Sequence, residues 1–419
     1  MKRHLVMACP ILWILGTFLP VTCFAEESKP TDPAKTSTEW RNDVANLEIT
    51  KKFNQAYARL PFSVEYEGVL DTRPFSIDWT VGPNLPVAWK GGVAGMIGDE
   101  IILTGGLWMP ERLNVTYAYN TKTHTYRELP APPVRPAYTQ GACDGRTLFV
   151  VGGRSAGRHV FKLAKDEQGD WKWSELARLP ESDEAGRWLA AVGMVPGKWL
   201  FVVGGHMTGT PSETEGTPRM PDFRLRLDKA DAVWEPMSPY PAGDRDLIIP
   251  AVARGKLYVF GGSNCDRVMR EIFKDIYDKY GVNAPYNGVP NYRDAFCYDP
   301  DKNQWKRIRN LPMPMVAGGT VVLDDRYVLL LGSADVRSYR VGKTTGRKDP
   351  YYLGYGDLVL CYDVQADNYC RVGVMPYGVA TTPWVTDGHH VYGFGGEPSH
   401  GYIMNTENVV QIGTLRRAD

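Results

Sequence analysis

The chain has 419 residues, with 48 lysine plus arginine balanced by 48 aspartate plus glutamate. This neutral balance gives no global field toward nucleic acid or an acidic membrane surface. The 43 glycines, 23 tyrosines and 12 tryptophans suit many short strands separated by tight turns.

Lys2, Arg3 and His4 open the chain, and an apolar run from Leu5 to Phe24 follows, broken by Pro10 and Pro20. Ala25 then precedes the polar stretch Glu26-Glu27-Ser28-Lys29. This order of basic, apolar and small residues predicts an export signal over 1–25, cleaved after Ala25. The alternative is an uncleaved anchor, which the prolines weaken as a helix. With cleavage, the expected location is periplasmic or secreted, with no span left in the membrane. Residues 26–75 read as a linker, with a helical leader or an unstructured one over 39–60.

From about residue 76 a single pattern recurs. An apolar run ends in a glycine pair at Gly105-Gly106, Gly152-Gly153, Gly204-Gly205, Gly261-Gly262 and Gly395-Gly396, with a degenerate sixth at Gly332-Ser333. Downstream of each lies a strand with tyrosine or phenylalanine, a polar turn, then tryptophan or tyrosine, and finally Leu-Pro or a variant of it. Cys297-Tyr298-Asp299-Pro300 through Trp305 to Leu311-Pro312 shows the full order. Asp144-Gly145 and Asp387-Gly388 mark hairpin turns upstream. Each unit is four antiparallel strands, and the glycines permit a close approach that a side chain would block. This order resembles the kelch repeat, which implies an all-β, six-bladed propeller over 76–419. The last repeat has only three strands. Ile77-Asp78-Trp79 with Leu85-Pro86 supplies the missing one, so the N-terminal strand should close the last blade.

Two insertions interrupt the repeats. Residues 264–292 carry helically spaced apolar residues around Met269 to Tyr277, and 337–355 are rich in basic residues, glycine and tyrosine. Of the cysteines that remain after cleavage, Cys361 and Cys370 flank a hairpin turn and are either paired or buried and free.

Two connections per blade should reach one end of the axis. After the glycine motifs come Leu107, Arg154, His206, Ser263, Ala334 and Glu397; near the proline turns come Lys90, Arg135, Arg187, Arg245, Met315 and Tyr377. The five basic residues in this set, with Arg293, point to an anion site built from guanidinium groups. The alternative is that each arginine pairs with a nearby carboxylate and holds a loop. No GxSxG, phosphate loop, HExxH or zinc-like Cys/His spacing occurs, so no metal or cofactor is expected.

The chain is most similar to the N-acetylneuraminate epimerase family among bacterial kelch proteins. Met315-Val316-Ala317-Gly318-Gly319, Tyr377-Gly378-Val379 to Pro383-Trp384, Gly395-Gly396-Glu397 and Arg293-Asp294-Ala295 carry the likeness. The resemblance implies a small anionic sugar or glycan as ligand and acid–base ring opening as the chemistry. The funnel positions put Arg135, Arg154, Arg187 and Arg245 in binding, and the resemblance adds Arg293, which stands where the family has an arginine in its fourth blade. One position departs: where the family has its proposed catalytic glutamate after the fourth glycine motif, this chain has Ser263. Glu397 and His206 are the proton-transfer candidates in its place. The competing reading is a non-catalytic module that holds a glycan or another exported protein.

Overall fold

The structure is a computed structural model that describes residues 69–70, 74–108, 111–180, 187–207, 221–243, 245–263, 292–334, 355–397 and 408–417. The expected export signal, the helical leader and almost all of both insertions lie outside the described residues.

Six four-stranded antiparallel sheets form the blades of a β-propeller. Their innermost strands are Lys90–Ile97, Gln140–Cys143, Ala191–Val195, Ile249–Ala253, Gly319–Leu323 and Trp384–Thr386. Each inner strand contacts the next, and the sixth contacts the first, which closes the ring. The second strand of every blade is the apolar run seen in the sequence, as in Thr147–Val151 and Lys256–Phe260. These strands are hydrophobic on both faces because each blade is sandwiched between two others. One apolar cluster accordingly fills each junction, for example Phe149, Val151, Val192 and Leu200 between blades two and three.

The N-terminal strand Phe75–Gly82 pairs antiparallel with Val410–Arg417 and completes the sixth blade, as expected. Just upstream, Val69–Leu70 lies parallel to Tyr369–Cys370 on the outer edge of blade five. The chain entering the ring therefore covers one blade and completes the next. Phe75 packs in the cluster between them, edge-on to Tyr327.

The repeated residues have mechanical roles. In five of the blades the aromatic of the outer strand reaches back to a backbone oxygen of the preceding blade. Trp173 Nε1 donates to Pro130 O at 2.9 Å, Trp234 Nε1 to Ala177 O at 2.8 Å and Trp305 Nε1 to Ser238 O at 2.9 Å. Tyrosine makes the same latch at Tyr369 to Arg309 O and Tyr126 to Pro83 O. The second glycine of each pair donates forward instead: Gly153 N to Arg187 O at 2.8 Å, Gly205 N to Arg245 O at 2.7 Å and Gly262 N to Met315 O at 2.9 Å. Where both are present, latch and glycine pair together tie a blade to both neighbours.

Cys361 and Cys370 are direct cross-strand partners in blade five, both buried thiols and neither in a disulfide. Their hydrogen bond, with burial, pushes the Cys361 thiol far up. Opposed residues of antiparallel strands sit within the roughly 4.4–6.8 Å Cα range that a disulfide bridges. Protein made through an oxidising compartment is expected to protect both from alkylation after denaturation. Protein made in a reducing one should have both alkylated, as peptide mass mapping will show.

Candidate functional site

The residue that follows each glycine motif sits at the same place in every blade. It pairs with the segment that enters the blade's own inner strand: Leu107 with Lys90, Arg154 with Ala137, His206 with Trp188, Ser263 with Asp246, and Glu397 with Ala380. In blade five Ala334 N donates to Val316 O. The sequence positions listed above therefore do form one ring at one end of the axis.

Immediately inside that ring is a belt of backbone. Gly91, Tyr138, Leu189, Leu247, Ala317 and Thr381, one per blade, all have φ between 48° and 60°. Each donates to or accepts from its neighbour: Gly91 N to Thr381 O, Thr381 N to Ala317 O, Ala317 N to Leu247 O, Leu247 N to Leu189 O and Leu189 N to Tyr138 O. Thr139 N to Gly91 O completes the circle. Five non-glycine residues in the left-handed region are a concentration of strain that the ring must hold in place. All six line an axial cavity of about 160 Å³, together with Gln140, Thr320 and Thr382.

Three of the predicted arginines hold the blades. Arg187 is buried, and its guanidinium donates to Gly204 O at 3.0 Å and Pro221 O at 2.7 Å. Arg245 donates to Gly261 O at 3.1 Å, pairs bidentately with Asp294 and lies 3.5 Å over the Tyr292 ring. In blade one Trp89 occupies the same position and donates to Gly105 O at 2.6 Å. A tryptophan doing the same job shows that these side chains serve the glycine turn. Arg293 Nε donates to Leu311 O at 2.9 Å, and Arg158 repeats that bond to Leu179 O at 2.7 Å in blade two. Arg135 is exposed. The backbone of His206 is laddered to Trp188.

Arg154 and Glu397 fall in one neighbourhood, with Lys90 of the basic set, with Tyr355, and with Tyr138 and Trp188, which the sequence did not single out. Glu397 is fully buried and forms an ion pair with fully buried Lys90 at 2.7 Å. Tyr138 donates to the same carboxylate oxygen at 3.2 Å, and Tyr355 adds a further hydrogen bond. Burial pushes the Glu397 carboxyl up, against the opposing pull of Lys90, Tyr138 and Tyr355. It also pushes the Lys90 ammonium down, against the pull of Glu397. The proton affinities of acid and base are thus drawn toward each other. Lys90 stands 5.9 Å over the Tyr138 ring, and the Trp188 ring lies 5.9 Å from that of Tyr138. The half-buried guanidinium of Arg154 sits 5.6 Å over Trp188. Arg112 belongs to the same neighbourhood: desolvation, then the charge of Arg154, hold its guanidinium below the usual value. Arg154 thus acts on a second guanidinium while lying over an aromatic face.

No family model matches the chain. Among curated proteins, N-acetylneuraminate epimerase of Yersinia pestis is 28% identical over 174 residues, 37% of this chain and 40% of that protein. N-acetylneuraminate epimerase 1 of Escherichia coli O6:H1 is 25% identical over 216 residues, 49% of this chain and 55% of that protein. The Haemophilus influenzae epimerase is 21% identical over 198 residues, 45% and 46% of the two chains. The matches span about two fifths to just over half of these relatives' own length. The chain is a six-bladed β-propeller with distant homology to the N-acetylneuraminate epimerases.

Proposed function

We propose that this propeller is an exported protein that binds a sugar acid at the axial mouth between blades one, two, three and six and interconverts its anomers. The observation that carries this reading is the convergence of Arg154 with the group formed by Lys90, Tyr138 and Glu397. The guanidinium would take the ligand's carboxylate, Trp188 would face its ring, and the buried acid–base group would serve proton transfer. The distant kinship with epimerases named for N-acetylneuraminate supports that compound as the first substrate to try. Ser263 takes no part; Glu397, at the equivalent position of blade six, supplies the carboxylate.

The reading is tested by NMR of freshly dissolved α-anomeric N-acetylneuraminate with and without the protein. Faster equilibration is expected, and an Arg154→Met variant should bind the sugar roughly 10- to 100-fold more weakly, the range for a lost charge-assisted hydrogen bond. Unchanged equilibration by the wild-type protein rejects catalysis on this sugar. Saturation-transfer contacts without acceleration would instead favour a binding module. That alternative draws on the engagement of Arg187, Arg245 and Arg293 within the blades.

A further inference from the structure

Glu397 has no exposed surface, so its carboxylate does not itself face the axial cavity. Tyr138 is itself buried, but it is one of the residues lining the cavity, and its phenol donates to Glu397 Oε1, so it connects the carboxylate to the cavity wall. The belt dictates this placement. Tyr138 occupies the left-handed position that is Gly91, Leu189, Leu247, Ala317 or Thr381 in the other blades, and it alone of the six carries an ionisable side chain. Its ring lies against Gly91, where a Cβ would come 2.8 Å from a ring carbon. The side chain therefore crosses from blade two over blade one to reach blade six.

Building on the function proposed above, we propose that Tyr138 is the group that meets the sugar, and that Glu397 and Lys90 act through it. The step needs one proton to move between two oxygens on the same carbon. The anomeric hydroxyl gives its proton to the Tyr138 oxygen while the Tyr138 proton passes to Glu397. A lone pair of the anomeric oxygen becomes the carbonyl π bond, and the bond from the anomeric carbon to the ring oxygen breaks, its electrons staying on that oxygen. The ring oxygen then takes a proton from Tyr138, which recovers its own from Glu397. Nothing is oxidised or reduced, and the protein ends as it began. Reclosure on the other face of the carbonyl runs the same steps backward and yields the other anomer. Lys90, 2.7 Å from Glu397, supplies the charge that steadies the relay. Tyr138 is then a catalytic residue, while Glu397 and Lys90 are positioning residues.

The experiment compares wild type, Tyr138→Phe, Glu397→Gln and the double variant by the rate of N-acetylneuraminate anomer exchange, with sugar binding measured in parallel. Tyr138→Phe is expected to lose 100-fold or more of the acceleration, the range of a general acid–base group, with binding changed less than about threefold. Glu397→Gln should lose a similar factor, and the double variant no more than either, because residues acting as one unit are not additive. If Glu397→Gln does not fold, Tyr138→Phe decides alone. A Tyr138→Phe protein that exchanges anomers at the wild-type rate overturns the relay and leaves the proposed function standing. Loss of rate and binding together also overturns it, since the phenol would then be a binding group. A wild-type protein without acceleration overturns the function and the relay with it.

Discussion

Replacing Lys90 by methionine is expected to destabilise the propeller by about 3–5 kcal/mol, the range for removing one partner of a buried ion pair. Both side chains of the Lys90 and Glu397 pair are fully buried, and they come from blades one and six, across the ring's closing junction. The variant leaves a carboxylate without its cation, in a place water does not reach. The double variant, Lys90→Met with Glu397→Gln, should recover most of the loss, because no charge then remains. The deficit of the single variant should also depend on pH in a definite direction. Burial raises the Glu397 carboxyl above the ordinary carboxylate range even with lysine present, and removing lysine raises it further. A carboxyl with a raised value in the folded state holds its proton more tightly there than in the unfolded chain. The deficit is therefore small in acid and grows as pH rises from the unfolded value through the folded one. Urea unfolding across that window measures it. A single variant within about 1 kcal/mol of wild type at neutral pH would show that Glu397 is not held as a buried charge.

A Gly261→Ala substitution should cost about 2–5 kcal/mol, from two separable sources. Gly261 has φ of 58°, which an L-residue adopts at a cost of roughly 1–2 kcal/mol. A Cβ there would also lie 2.2 Å from the carbonyl oxygen of Met315 in the next blade. Relieving that overlap requires moving the junction, and overpacking of this kind costs about 1–3 kcal/mol more. Gly98 isolates the first source. Its φ is 63°, yet nothing lies within 4 Å of where its Cβ would stand. Gly98→Ala should cost only about 1 kcal/mol, the backbone term alone. Equal unfolding midpoints for the two variants would mean that the glycine pair is chosen for its backbone angles and not for the docking of blades.

The glycine pairs and outer-strand aromatics were readable from sequence because each solves a local problem that recurs in every blade. A carbonyl from the next blade presses on Gly152, Gly204, Gly261 and Gly332 alike. Trp173, Trp234 and Trp305 each latch to the blade before. Even the split blade was legible, since three strands at one end and an orphan at the other leave one arrangement. The start of the sixth blade was less so. Its first strand is only Trp384–Thr386. The preceding residues are spent on the belt, where Thr381 has φ of 51°. Nothing about threonine, leucine or tyrosine announces a left-handed backbone.

Glu397 could be found because it follows a glycine pair, a position the repeat defines. Its partner Tyr138 lies 259 residues away and sits in a belt with no sequence signature. A comparison of blades at the residue that enters each inner strand would have exposed Tyr138 as the one ionisable member. Arg112 escaped notice because it lies in a short strand, Glu111–Arg112, outside the four-strand repeat.

The sequence by itself determined that this chain is a closed ring of six blades, because backbone sterics and interblade latches repeat wherever the motif does. Only the tertiary structure decided what each basic residue meets. A guanidinium has five donors and will satisfy a buried carbonyl or a carboxylate wherever one is in reach. Arg187 and Arg245 meet glycine carbonyls, whereas Arg154 meets the face of Trp188. Which of these a given arginine finds depends on how the ring closes, and no residue type or spacing encodes that.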